Sequence, residues 1–179
     1  MLILCYNEIK ILLEAFELMK VAIVMGSDSD WSVMKSAVDF LRSFDIEFEV
    51  TVASAHRTPK RVQEFVESAQ RSGAKVFIAA AGCAAHLAGV VASYTVCPVI
   101  GVPINSEPFK GLDSLLSTVQ MPPGIPVATM AVNGAKNAAI FAIEILAISD
   151  ENIRQKLIDY RADMEAEVEK KAANIEKLF

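Results

Sequence analysis

The chain has 179 residues, 53% of them hydrophobic and 22% charged, with a formal net charge of −5. That length suits one domain with a layered core, and the acidity, with a sequence pI near 5.1, argues against nucleic acid or an anionic membrane as the main partner. The mean hydropathy of +0.37 is high, yet no 18 apolar residues run free of charge, so no membrane-spanning helix is expected and the apolar excess points to a homo-oligomer.

Residues 1–18, "MLILCYNEIKILLEAFEL", place Glu8, Lys10, Glu14 and Glu17 at helix-like spacing, without a basic leader or a small-residue cleavage site. A signal peptide is therefore not expected. The segment reads as an added helix, or Met19 as the natural start, ahead of a single domain over 19–179. "VAIVMG" (21–26) is a buried strand, and Trp31, Met34, Val38, Leu41 and Phe44 recur at helical spacing after it. "EFEVTVAS" (47–54) alternates as a strand. Thr58 and Pro59 then open a helix with Val62, Phe65, Val66 and Ala69 as its stripe and Gly73 as its stop.

Strand three is "KVFIAAAG" (75–82), followed by a small-residue helix over 84–95. "PVIGVPI" (98–104), a helix over 112–120, "PVATMAV" (126–132) and a helix over 135–148 complete the alternation. Five strands each followed by a helix predict an α/β fold: a three-layer α/β/α sandwich, doubly wound and flavodoxin-like, with a parallel five-stranded sheet in the order 2-1-3-4-5. A charge-rich helix over 150–178 carries Ile153, Leu157, Tyr160, Met164, Val168, Ile175 and Leu178 as a stripe, with Glu167 and Lys171 paired on the wetter face. Its length suggests that it lies on a neighbouring subunit.

In such folds ligands sit outside the carboxyl ends of the strands. "GSDSD" (26–30), "SAHRTP" (54–59) and "GCAAHLAG" (82–89) follow strands one, two and three, so three loops converge on one pocket. Gly26 permits a tight turn, and Ser27 offers a hydroxyl at a helix start that suits a phosphate. Asp30 would repel that phosphate; it caps the helix or accepts hydrogen bonds from sugar hydroxyls. Arg57 supplies a fixed cation with a donor fork suited to phosphate, and Ser54 adds a neutral donor. His56 beside that anion can give and take a proton near neutrality. His86, among Gly82, Ala84, Ala85, Ala88 and Gly89, is equally a donor to a carboxylate or a structural plug, and the small residues around it suggest a tight, water-poor wall.

Neither a dinucleotide fingerprint nor a P-loop is present. Cys5, Cys83 and Cys97 form no CxxC pair, which fits a reducing, cytoplasmic compartment and speaks against zinc. Two histidines far apart in sequence offer no metal constellation, and Cys83 as nucleophile is disfavoured.

"VAIVMGSDSDW", "SAHRTP", "AAHLAG", "GLDSLLSTVQMPPGIPVAT" and "GAKNAA" occur in that order. Together they resemble the PurE family of purine biosynthesis, nearest its bacterial-type 5-(carboxyamino)imidazole ribonucleotide mutase branch, over about residues 21 to 148. The resemblance implies that a carboxyl group moves from the exocyclic nitrogen of the imidazole to ring carbon four, without metal or organic cofactor, in a homo-octamer. It further implies that Ser27 and Asp30 contact the ribonucleotide, that Arg57 holds its phosphate and that His56 is the catalytic acid/base. Gly26, Ser54, Gly82 and His86 would line the same site. Ala88 stands where the family usually has Pro, and residues 1–18 have no counterpart.

Two rival functions differ in kind. The animal-type branch, which carboxylates aminoimidazole ribonucleotide with free carbon dioxide, typically has Lys after the motif histidine and lacks the second one; Arg57 and His86 favour the mutase. A non-catalytic phosphosugar-binding module would keep Arg57 and dispense with His56.

Overall fold

The computed structural model describes residues 19–179; the reading of residues 1–18 as an added helix lies outside them. Backbone proximity divides the chain into one unit ending at Ala142 and a second from Ile143 to Phe179. The first holds β1 (Lys20–Met25), α1 (Trp31–Ser43), β2 (Glu47–Val52), α2 (Pro59–Arg71), β3 (Ala74–Ala81), α3 (Leu87–Ser93), β4 (Val99–Pro103), α4 (Leu112–Val119) and β5 (Ala128–Thr129). α5 (Ala135–Leu146) spans the boundary, and α6 (Glu151–Glu176) forms most of the second unit.

The five strands are parallel in the expected order β2-β1-β3-β4-β5. Parallel neighbours need a crossover, and right-handed crossovers put a helix on a face set by the direction of travel. The chain steps outward from β1 to β2, then reverses past β1 to β3 and onward. That reversal sends α1 to one face and α2, α3 and α4 to the other. Lys136, in the first turn of α5, lies over the Phe40 ring of α1 at 5.2 Å, so α5 begins on the α1 face.

Strand alternation fills both layers. Ala22, Val24, Phe77 and Ala79 meet Val62 and Val66 of α2 and Leu87 and Val91 of α3, while Val21, Ile23, Ile78 and Ile100 are fully buried on the opposite side. Gly101 on β4 shows why a side chain is missing there: a Cβ would lie 2.3 Å from Thr118 Cγ2 and 3.0 Å from Val127 Cγ1. Only a bare backbone lets α4 approach so closely.

Several boundaries depart from the sequence reading. Of the α1 stripe, Met34, Val38, Leu41 and Phe44 are buried but Trp31, at 40% exposed, stands at the helix start beyond the layer. The strand expected over 126–132 shrinks to Ala128–Thr129: Pro126 has no N–H for a ladder, and past Thr129 the chain keeps only two spaced bonds to β4, Met130 N to Gly101 O at 2.9 Å and Asn133 N to Pro103 O at 2.8 Å. The third helix starts at Leu87 rather than 84: Cys83 takes a left-handed conformation (φ +54°) and residues 84–86 are used by a tight turn, His86 N to Ala84 O at 2.9 Å.

In the second unit, Asp150 caps α6 by accepting from Asn152 N at 2.8 Å and Ile153 N at 3.0 Å. Of the expected stripe only Leu157 is buried; Met164, Val168, Ile175 and Leu178 are exposed. The Glu167–Lys171 pair forms at 3.4 Å. Among the described residues no helix is long and apolar enough to cross a membrane.

Candidate active site

The loops after β1, β2 and β3 meet at the carboxyl edge of the sheet around a cleft of about 520 Å³. All eight residues singled out from the sequence (Gly26, Ser27, Asp30, Ser54, His56, Arg57, Gly82 and His86) line it.

In the first loop, Ser27 caps a single 3-10 turn, Asp28–Asp30. Its Oγ accepts from Ser29 N at 3.3 Å, while Asp30 Oδ2 accepts from Ser27 N at 3.1 Å. This reciprocal arrangement satisfies two otherwise orphaned donors. Of the two roles the sequence offers Asp30, helix cap or acceptor from sugar hydroxyls, the first is not filled: it occupies the cap position, but its side chain makes no capping bond to α1 and serves the turn before it. At 6% exposed it is the most buried acid of the cleft. Burial pushes its carboxyl above the ordinary value, partly opposed by the hydrogen bonds from Ser27 and Ser29.

The second loop folds on itself. Thr58 was expected to cap α2 through its hydroxyl, and it does not. Its Oγ1 instead accepts from Ser54 N at 2.9 Å and donates to Ser54 O at 3.2 Å. That clasp leaves His56 and Arg57 at the loop tip. Arg57 is steered further: Nε donates to Ser54 Oγ at 3.4 Å, and Nη2 reaches across to Gly26 O at 3.2 Å.

The third loop brings in His86. A tight turn, His86 N to Ala84 O at 2.9 Å, sets it at the N-cap of α3 without a side-chain capping bond. Its Nδ1 lies 2.8 Å from His56 Nε2, the rings edge to face at 82° with centroids 5.0 Å apart. One of these facing nitrogens must carry a proton and the other must lack it. The contact therefore accommodates a neutral or singly charged pair and opposes a doubly charged one.

Sequence reasoning missed part of the cleft. Asn105, Ser106 and Asn133 also line it. Ser106 Oγ accepts from Cys83 N at 3.0 Å, and Asn133 Oδ1 accepts from Asn105 N at 2.9 Å. Gly82 packs beside this fourth loop: a Cβ there would meet Ile104 O at 3.4 Å and Ser106 Oγ at 3.5 Å, ordinary contact distances. The same carboxyl-end rule, carried to strands four and five, was the signal that would have found them. The small-residue wall does not shut out water within a single chain: His56, Arg57, Cys83 and His86 are all exposed.

Chemically, the cleft joins a guanidinium, several hydroxyls, a buried carboxyl and two touching imidazoles. Among the described residues no cluster of His, Cys, Asp or Glu is arranged to hold a metal ion. The AIR carboxylase family matches residues 20–167. N5-carboxyaminoimidazole ribonucleotide mutase of Pyrococcus horikoshii is 54% identical over 158 residues, covering 88% of this chain and 89% of that one. The enzyme of the same name from Methanocaldococcus jannaschii is 54% identical over 159 residues, covering 89% and 99%. Among solved structures, Treponema denticola PurE superposes with a TM-score of 0.77 at 29% identity, covering 83% of this chain and 93% of the other.

Proposed function

The chain belongs to the AIR carboxylase family, and from that footing we propose that it is an N5-carboxyaminoimidazole ribonucleotide mutase of purine biosynthesis. The observation that carries this reading is the His56–His86 contact, two imidazoles 2.8 Å apart in one cleft with Arg57. A carboxyl shift needs a group that both gives and takes a proton, beside a cation that anchors the nucleotide.

In the proposed mechanism Arg57 holds the phosphate, and Ser27, Ser54 and Asp30 position the ribonucleotide. As the bond between the exocyclic nitrogen and the carboxyl carbon breaks, His56 protonates the nitrogen and carbon dioxide is released. The enamine-like ring carbon four then attacks the same carbon dioxide. Neutral His56 removes the proton from that carbon, restoring the aromatic ring, so the proton balance closes without an external acid. His86 steadies whichever form of His56 each step requires. Asp30, buried and partly shielded from solvent, accepts from the sugar hydroxyls.

The assembled enzyme is proposed to be a homo-octamer of the cytoplasm. Exposed Phe109, Leu112, Leu116 and Val119 in the first unit support burial against other copies, as do Met164, Val168 and Ile175 on α6. Cys83 and Cys97 are free thiols, which suits a reducing compartment.

The test is a direct comparison of substrates. Low enzyme should consume the carboxyamino nucleotide without added bicarbonate and form 4-carboxy-5-aminoimidazole ribonucleotide. Consumption only of aminoimidazole ribonucleotide with bicarbonate would assign the chain to the direct carboxylases. Tight nucleotide binding without turnover of either would leave a binding module.

A further inference from the structure

The cleft continues past Arg57 into a second lobe of about 480 Å³. Gly26, Ser27, Ser54 and Arg57 line both parts, and the second is walled additionally by Asp28, Val52, Thr58 and Arg61. Arg61 stands in the first turn of α2 and reaches back to the end of the edge strand. Its Nε donates to Val52 O at 2.9 Å and its Nη2 to Thr51 Oγ1 at 3.1 Å. Arg57 is likewise held by neutral oxygens, those of Ser54 and Gly26.

Among the described residues neither guanidinium has a carboxylate within ion-pair distance. The adjacent cation Lys60, by contrast, is paired with Glu64 at 3.7 Å. A guanidinium has five N–H bonds in a planar fork; two of each are committed by side-chain bonds, and three of each remain. The lobe's carboxylate, Asp28, accepts through Oδ1 from Ser27 Oγ at 3.1 Å and Ser29 N at 3.0 Å. Two cations therefore face one anion in a chain whose overall charge is negative.

A phosphate monoester is close to a dianion at neutral pH, and one guanidinium matches only half of that charge. We propose that this lobe receives the phosphate of the ribonucleotide and that Arg61 is its second guanidinium, completing a clamp with Arg57. The identity of the phosphate's owner rests on the mutase reading; the two-arginine anion site does not. The imidazoles line the first part of the cleft and not the second, so a nucleotide lying across Arg57 would keep its base at His56 while its phosphate passes beyond.

The experiment compares the parent enzyme with Arg61→Gln, Arg61→Lys and Thr51→Val, measuring KM for the carboxyamino nucleotide and inhibition by inorganic phosphate. Loss of one set of charge-assisted bonds predicts that Gln raises both KM and the phosphate inhibition constant by about tenfold. The loss should fall on KM rather than kcat, and KM should vary less steeply with salt. Lys, keeping the cation, should recover most of the affinity. Thr51→Val removes the Nη2 anchor without touching charge and should leave both constants at parental values, even where melting shows a weaker edge strand. Unchanged constants in Arg61→Gln, in an enzyme that turns over the nucleotide, would overturn the clamp and leave the mutase reading standing. So would a Lys variant no better than Gln, or a Thr51→Val that reproduces the Gln defect. If the parent does not turn over the nucleotide yet binds inorganic phosphate in an Arg61-dependent way, the mutase reading fails and the anion site survives.

Discussion

Replacing His56 with Asn tests the proton chemistry most directly, because the amide approximates the imidazole in size but does not titrate near neutrality. General acid–base catalysis contributes about 10²–10⁴ in rate, or roughly 2.7–5.5 kcal/mol of barrier. His56→Asn should lower kcat by that factor while nucleotide binding persists. His86→Asn should cost less, about tenfold or roughly 1.4 kcal/mol, since it removes a hydrogen-bond partner and not the reacting group. The 2.8 Å contact predicts how the two losses combine. If His86 acts through His56, the double variant should be no slower than His56→Asn alone, as for groups that work as a unit. Initial rates at saturating carboxyamino nucleotide supply the numbers, with product binding as the check that each site is intact. Losses that multiply would show that His86 acts on the substrate independently. Activity of His56→Asn within tenfold of the parent would remove it from the acid/base role.

Arg57→Ala should raise KM by about 10–100-fold through loss of charge-assisted phosphate bonds; unchanged affinity would place the phosphate elsewhere. Because burial raises the Asp30 carboxyl above its ordinary range, the fold favours its protonated form. That contribution is full below the ordinary carboxylate range and is lost as pH rises through the raised value. Asp30→Asn has no such proton to lose, so its melting temperature relative to the parent should climb across that interval, and a constant offset would refute the burial effect. Gly101→Ala should destabilise by about 1–3 kcal/mol through overpacking, because its Cβ would fall 2.3 Å from Thr118 Cγ2. Adding Thr118→Ser, which deletes that methyl and keeps a hydroxyl for the bond to Ser114 O, should recover part of the loss; no recovery would point to another clash.

The layered fold was legible because its cause is periodic. β-branched runs such as "VAIV" and "VFI" bury on both faces, and each is followed by a helical stripe. The three histidine- and serine-bearing loops were legible too, since parallel topology delivers every strand's carboxyl end to one edge. Local geometry was not. Nothing in "GCAAHLAG" announces that Cys83 adopts a left-handed backbone, because that conformation is held by a partner 23 residues away, Ser106. Thr58 looked like a helix cap by residue type, but the competing bonds to Ser54 won. Asn105 and Asn133 carry no motif of their own; their meaning comes from the hydrogen bond that joins them across 28 positions.

The ties around the cleft join segments far apart along the chain: Arg57 to Gly26 across 31 positions, His56 to His86 across 30, Asn133 to Asn105 across 28. Such links carry a large loop-closure cost until the strands between them are in place. The rim is consequently among the last parts of the molecule to form, and nucleotide capture becomes a readout of completed folding rather than of any single loop.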